Sequence, residues 1–329
     1  MNLSYLSRRN TDCLKGILAL IVVIYHVSQK SEILTFLPET ISSNLGYFPV
    51  MVFFFLSGYG LMASVNSKGT AYLGSFLRNR VVPFYVICVS LVVLYTGLNL
   101  VASPEEITPQ LLLQSLTFGK DTIISKGWYL QVSLLIYVGF YLLFRYVSCE
   151  KKRWITAICS ITVYCVLCEM LDFPLYYYQT VPAVLLGAVW YKYRIRLDLV
   201  IGDRRVMIAL LAAEITGLCV AHYCTRIVFF ARILMLACFV PLVLVFLRNV
   251  KIDCAATRFL GSISFEIYIL HGPIPSLCRK LVSNDWVYAG TVILISLLLA
   301  VVAKPFTKKI YAAFRDTPSK HANETSITG

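Results

Sequence analysis

Lys15 and His26 stand eleven residues apart in the run CLKGILALIVVIYHV, which is otherwise almost wholly apolar. Placing an ionisable imidazole in a hydrocarbon environment is costly, so such a residue is read as functional by default. On an α-helix eleven residues return to within about 20° of the same azimuth and rise about 16 Å. Lys15 at a membrane surface and His26 deep in the membrane then share one stripe. That geometry suits a long anionic ligand lying along the helix, its charged head at Lys15 and its reactive end at His26.

A second constellation lies in ISFEIYILHG. Ser264, Tyr268 and His271 follow one another at i, i+4 and i+7, which puts a hydroxyl, a phenol and an imidazole on one helix face. His271 falls twelve residues into its apolar segment and His26 eleven above Lys15, so the two imidazoles are expected at similar depth. Gly272, Pro273 and Pro275 disturb the helix just above and could open a cavity there. In FFFLSGYG, Ser57, Gly58 and Gly60 allow a helix or a ligand to approach closely. Arg78 and Arg80 precede Val81-Val82-Pro83 and read equally as topology anchors or as a clamp for a phosphate.

The elements that must hold these groups follow from composition. The chain of 329 residues is 58% hydrophobic and only 14% charged, with a mean hydropathy of +0.74, which places it among all-α integral membrane proteins. Apolar runs long enough to span occur at 13–29, 47–65, 81–101, 128–147, 154–170, 176–193, 206–222, 226–247, 259–280 and 286–306. About ten transmembrane helices in one domain, residues 1–316, are expected, followed by a polar tail over 317–329. Basic residues prefer the cytoplasmic side of short loops. An N-terminus inside leaves only Lys30, Lys120, Lys126, Arg226, Arg232, Arg279 and Lys280 outside, and it makes both termini cytoplasmic. Trp128 and Trp286 then mark the outer interface, Trp154 and Trp190 the inner one. The net charge of +13 is accounted for by this topology and by attraction to anionic lipid, with no nucleic-acid partner.

The remaining features carry less. No small-residue cleavage site follows the first apolar run, so it is read as a retained helix. The eleven cysteines are expected to stay reduced, Cys165 and Cys168 as packing residues, with a Cys224–Cys278 bridge open; no metal is expected. The long outer connection over 102–127, with Pro104, Glu105, Glu106, Lys120, Asp121 and Lys126, is either a plain connector or a lid and acceptor-binding surface. Glu214, Glu266 and Arg232 are intramembrane charges that need partners, and Arg232 could pair with Glu214. Tyr176, Tyr177, Tyr178 and Gln179 read as an interfacial aromatic belt before they read as a sugar platform.

The sequence resembles the membrane acyltransferase-3 family, which includes O-antigen, exopolysaccharide, nodulation-factor and macrolide acyltransferases. The resemblance is carried by Asp12-x-Leu14-Lys15 with His26 after a ten-residue gap, by Phe53-Phe54-Phe55-Leu56-Ser57-Gly58, and by Arg78 and Arg80 before Pro83. Trp128-Tyr129-Leu130 and the Ser264, Tyr268, His271 set complete it. One departure is the arginine spacing, two here where family members often have three.

The resemblance implies a cytoplasmic acyl-CoA donor, acetyl-CoA by default, and a glycan or glycolipid acceptor at a multi-pass site in the cell membrane. It makes His26 the catalytic residue and Lys15, Arg78 and Arg80 the contacts to CoA, with Asp12, Ser57 and Trp128 lining the site. His26 would act as a base or take the acyl group itself. His271, Tyr268, Ser264 and Ser57 would orient it or donate to the developing oxyanion. Competing readings are acyl transfer to a lipid or small molecule, and a non-enzymatic transporter or flippase in which His26, Glu214, Glu266 and Arg232 form a relay. The cation below the histidine favours the enzyme.

Overall fold

The apolar runs fold into helices that cross back and forth between two ends of a bundle, and no strand occurs among the described residues. The computed structural model describes residues 3–102, 107–224 and 227–315. Pro104, Glu105, Glu106, Arg226 and the tail over 317–329 lie outside the described residues. The helices are α1 (Arg8–Ser28), α2 (Glu39–Ser42), α3 (Tyr47–Phe76), α4 (Val82–Ala102), α5 (Pro109–Leu116), α6 (Trp128–Tyr146), α7 (Glu150–Met170), α8 (Ala183–Val200), α9 (Arg204–Tyr223), α10 (Val228–Asn249), α11 (Ala255–Ser262), α12 (Ser264–Leu270), α13 (Ile274–Arg279) and α14 (Asp285–Ala313).

Among the described residues eight helical stretches are long and apolar enough to cross a bilayer. Large apolar side chains such as Val93, Phe230 and Val302 stand exposed on the outside of these helices, as an all-α integral membrane protein requires of its lipid-facing surface. Two further traverses expected from the sequence have another character. The sixth starts at Ala183 rather than at 176, because Pro174 and Pro182 hold the preceding segment in a short 3-10 turn, Leu175–Tyr177. It also carries Lys192, Arg194, Arg196 and Asp198 along its second half. The ninth, expected as one helix over 259–280, is broken into α11, α12 and α13, with Ile263 out of helical geometry at φ −117°, ψ 10° and a second break at Gly272-Pro273.

Glycine contacts fix the bundle. Gly16 on α1 and Gly261 on α11 bring the two backbones together so closely that a Cβ on either would enter the other chain. Gly58 on α3 and Gly187 on α8 do the same for those helices, whereas nothing lies within 4 Å of a Cβ placed on Gly60. The FFFLSG run is therefore a helix-packing face at Gly58.

Glu266 and Arg232 find separate partners, and Glu214 finds none among the described residues. Glu266, 1% exposed, is held by Lys304 at 3.2 Å and by the Thr307 hydroxyl, both on α14. Arg232 does not pair with Glu214. Its guanidinium donates to the Asn44 side chain and lies 4.5 Å from the Tyr47 ring centre, because both groups on the α2–α3 side face it. Neither carboxylate oxygen of Glu214 has a hydrogen-bond partner among the described residues. All eleven cysteines, Cys224 and Cys278 included, are unbridged.

Candidate active site

The break after α12 builds the centre of the site. Pro273 has no N–H, so the Ile269 carbonyl four residues earlier loses its helical donor; the Tyr95 hydroxyl on α4 donates to it instead at 3.2 Å. His271 caps the helix end, and its Nδ1 donates to the Tyr268 carbonyl at 2.7 Å, with the Ile267 carbonyl at 3.2 Å. A carbonyl only accepts, so Nδ1 carries a proton, and in the neutral ring the lone pair is on Nε2. Among the described residues that Nε2 has no partner, although His271 is 0% exposed.

His26 meets it from the last turn of α1. The two rings stack with centroids 5.2 Å apart and planes 21° from parallel. His26 is half-buried, and its Nδ1 donates to Oε1 of Gln29, the residue that caps α1, at 2.8 Å. Its Nε2 is thereby also the unprotonated nitrogen. In their neutral forms the two imidazoles thus present acceptor nitrogens side by side.

Below them the bundle interior is lined with phenols. The Tyr268 ring meets His271 edge-on at 5.7 Å and Tyr129 at 4.7 Å, and Phe53 closes the other side at 5.9 Å. Ser57 and Ser133 face the Tyr129 hydroxyl, while the Ser57 hydroxyl also donates to the Phe53 carbonyl at 2.9 Å. Tyr137, eight residues or about 12 Å further along α6, accepts a hydrogen bond from Arg80 at 3.0 Å, and the guanidinium sits 4.8 Å from its ring centre. Arg80 gains that inward aim from a π-helical turn over Leu77–Val81, a local irregularity common where side chains are re-aimed for function.

The Lys15 end is a separate basic region. Lys15 is bound to Asp12 at 3.0 Å, and Asp12 is also 3.9 Å from Arg8. Next to them opens a cavity of about 410 Å³ lined by Arg8, Arg9, Asp12, Cys13, Arg258 and Ser262. Asp253 bridges Arg9 at 2.8 Å and Arg258 at 3.4 Å. Among the described residues no hydrogen bond or ion pair joins Lys15 to Arg80.

On the opposite side the connection before α6 covers the histidines. Ser125 presses on Gly272, where a Cβ would stand 2.6 Å from the Ser125 carbonyl oxygen. Lys126 follows with φ 62°, a left-handed backbone that is unusual for a side-chain-bearing residue. Its ammonium acts electrostatically on His26, His271 and Lys30. Partial withdrawal from water, and then the charge of Lys30, lower the Lys126 pKa below the usual lysine value.

A family model described as an acyltransferase domain matches residues 8–304, most of the chain. The chain belongs to the acyltransferase-3 family. No curated protein and no solved structure matches it. It is a membrane acyltransferase, and the histidine pair lies within the matched region.

Several expected site residues of this acyltransferase lie away from that pair. The Ser264 hydroxyl donates to the Gly261 carbonyl at 3.1 Å and serves the turn between α11 and α12. Trp128 packs on Tyr129, Tyr176 and Tyr177 rather than on a histidine. Tyr177 is neither belt nor platform: it is buried and its hydroxyl bonds to the Gly119 and Lys120 carbonyls and to Gln131, which pins the outer connection. Arg78 lies on the same turn as Arg80, and both residues are exposed; what places Arg80 beside the phenols is its hydrogen bond to Tyr137. Gln29 and Arg258 escaped the sequence reading. The His26-x-x-Gln29 spacing was a usable signal for the first, while Arg258 comes to α1 only through the Gly16–Gly261 crossing.

Proposed function

We propose that this acyltransferase moves an acyl group, acetyl in the first instance, from a cytoplasmic acyl-CoA to a hydroxyl of a cell-envelope or exported glycan or glycolipid. The single observation that carries the reading is the stacked His26–His271 pair, both Nε2 atoms unprotonated, joined to the inward-facing Arg80 by Tyr268, Tyr129 and Tyr137. Arg80 would hold a CoA phosphate, with Arg78 beside it. The basic cavity at Arg8, Arg9 and Arg258, whose Asp12 pairs with Lys15, offers a second anchor for the anionic head.

His26 Nε2 takes the proton of the acceptor hydroxyl as the oxygen attacks the thioester carbonyl. The C–O bond forms, the C–S bond breaks, and the proton passes from Nε2 to the departing thiolate. In the relay form Nε2 itself attacks the carbonyl and the C–S bond breaks to release the thiolate; the acceptor oxygen then takes the acyl group from the acyl-imidazole as the N–C bond breaks, and its proton goes to the thiolate. The Nδ1–Gln29 bond keeps the required nitrogen free in both routes. With Nδ1 committed to a carbonyl, His271 has no Nε2 proton to give an oxyanion. Its role is to hold the His26 ring plane and accept a hydroxyl.

The test is transfer of labelled acetyl from acetyl-CoA in membrane vesicles containing native acceptor. Wild type should transfer label, His26→Ala should not, and Arg80→Ala and Lys15→Ala should raise the donor requirement. Normal transfer by well-expressed His26→Ala would overturn the assignment.

A further inference from the structure

The side of the histidine pair opposite Arg80 is cationic. Lys30 stands just past Gln29, the cap of α1, with its backbone N–H on the Val27 carbonyl at 3.0 Å, and Lys126 belongs to the connection whose Ser125 packs on Gly272 beside His271. The two ammonium groups act on each other and Lys126 acts on both imidazoles. Among the described residues no ion pair is formed by either lysine; the nearby Asp285 is committed to Arg279 at 2.8 Å and to the Glu32 backbone N–H at 2.8 Å.

Two like charges held together without a counter-charge are unfavourable. The local backbone nevertheless enforces this arrangement. Ser125 is locked against Gly272, directly beside His271, and Lys126 is kept in a left-handed conformation that is unfavourable for a residue with a Cβ. Strain of this kind persists where the surrounding structure over-determines it, which is characteristic of ligand clamps. Next to this segment lies His271, whose Nε2 is a wholly buried acceptor with no donor among the described residues. A ligand that satisfies all three groups carries an anion and, close to it, a hydroxyl.

We infer that Lys126 and Lys30 form a recognition site for an acidic acceptor, a sugar bearing a carboxylate or phosphate whose neighbouring hydroxyl is the one acylated. This rests on the acyl-transfer reading above. The anion lies between the two ammonium groups, and a hydroxyl of the acceptor donates to His271 Nε2. The hydroxyl to be acylated reaches His26 Nε2, gives up its proton there, and forms the C–O bond as the C–S bond of the donor breaks and the thiolate takes the proton. The lysines touch the acceptor and take no part in the proton balance.

The experiment measures equilibrium binding of three radiolabelled probes to the full-length protein in nanodiscs without donor: a neutral disaccharide, its glucuronate-containing counterpart and its 6-phosphate. Wild type should bind at least one charged probe about tenfold or more tightly than the neutral one, with the difference shrinking at high salt. Lys126→Gln should abolish the preference and Lys126→Arg should retain it. Whichever charged probe binds tells carboxylate from phosphate. Equal binding of all three probes by wild type, or an unchanged preference in Lys126→Gln, would overturn the proposal. Binding needs no acyl donor, so a preference seen without any acetyl transfer would refute the catalytic reading and leave the anion site standing.

Discussion

His26 and His271 stack face to face at 5.2 Å without a hydrogen bond between them. Each imidazole is fixed by a partner of its own, His26 by the Gln29 side chain and His271 by the backbone of α12. The consequences of removing either ring therefore differ. His26→Ala should cost about 10²–10⁴ in transfer rate, the usual contribution of a positioned acid–base group. His271→Phe keeps the stacking surface and removes the acceptor nitrogen. If packing were its whole role, that variant would keep full activity; we expect a loss of about tenfold to a hundredfold, equivalent to about 1–3 kcal/mol for an unmet hydrogen bond.

Gln29→Leu removes the acceptor for His26 Nδ1 and lets the ring turn. A net hydrogen bond is worth about 0.5–1.5 kcal/mol, so kcat for labelled acetyl transfer should fall about three- to tenfold with KM for the donor unchanged. A shift in donor KM alone would show that Gln29 does not position the base.

Glu266 depends on Lys304. Breaking a buried pair from one side costs about 3–5 kcal/mol, and because Lys304 remains 41% exposed we expect about 2 kcal/mol for Lys304→Met. Thermal unfolding in detergent should show the loss, and Glu266→Gln combined with Lys304→Met should recover part of it. A double variant no more stable than the single one would remove this account.

Two glycines in one motif should behave oppositely. Gly58→Ala drives a methyl group into the Val184 backbone and should destabilise by about 1–3 kcal/mol. Gly60→Ala meets open space and should be neutral or stabilising, by up to about 1 kcal/mol. Melting temperatures of the two proteins in the same detergent decide the point.

Helical class, membrane character and the two histidines were legible in the sequence because hydropathy and the 3.6-residue period are local properties. Lys15 and His26 share a helix, and so do Tyr268 and His271; their spacing is read directly. Their meeting across α1 and α12 required only that two helices start at one end and reach equal depth. Contacts that depend on side-chain reach between distant segments were not legible. Arg232 turns to Asn44 instead of Glu214, and Arg80 turns inward only because of a π-helical turn that hydropathy does not register. Lys126 read as one charge among several in a polar loop. Its place over the histidines comes from the Ser125–Gly272 contact, which no pattern in either segment announces.

Where α12 stops determines more than packing. A helix running on through residue 273 would engage the carbonyls of Tyr268 and Ile269 in its own ladder, leaving the His271 imidazole free to turn either nitrogen inward. Pro273 ends the ladder, and His271 Nδ1 takes the Tyr268 carbonyl. The choice of nitrogen is thus made during folding, before any ligand arrives. Under the proposed mechanism substrate binding energy need not be spent on orienting that ring, which a proline outside the reacting atoms has set in advance.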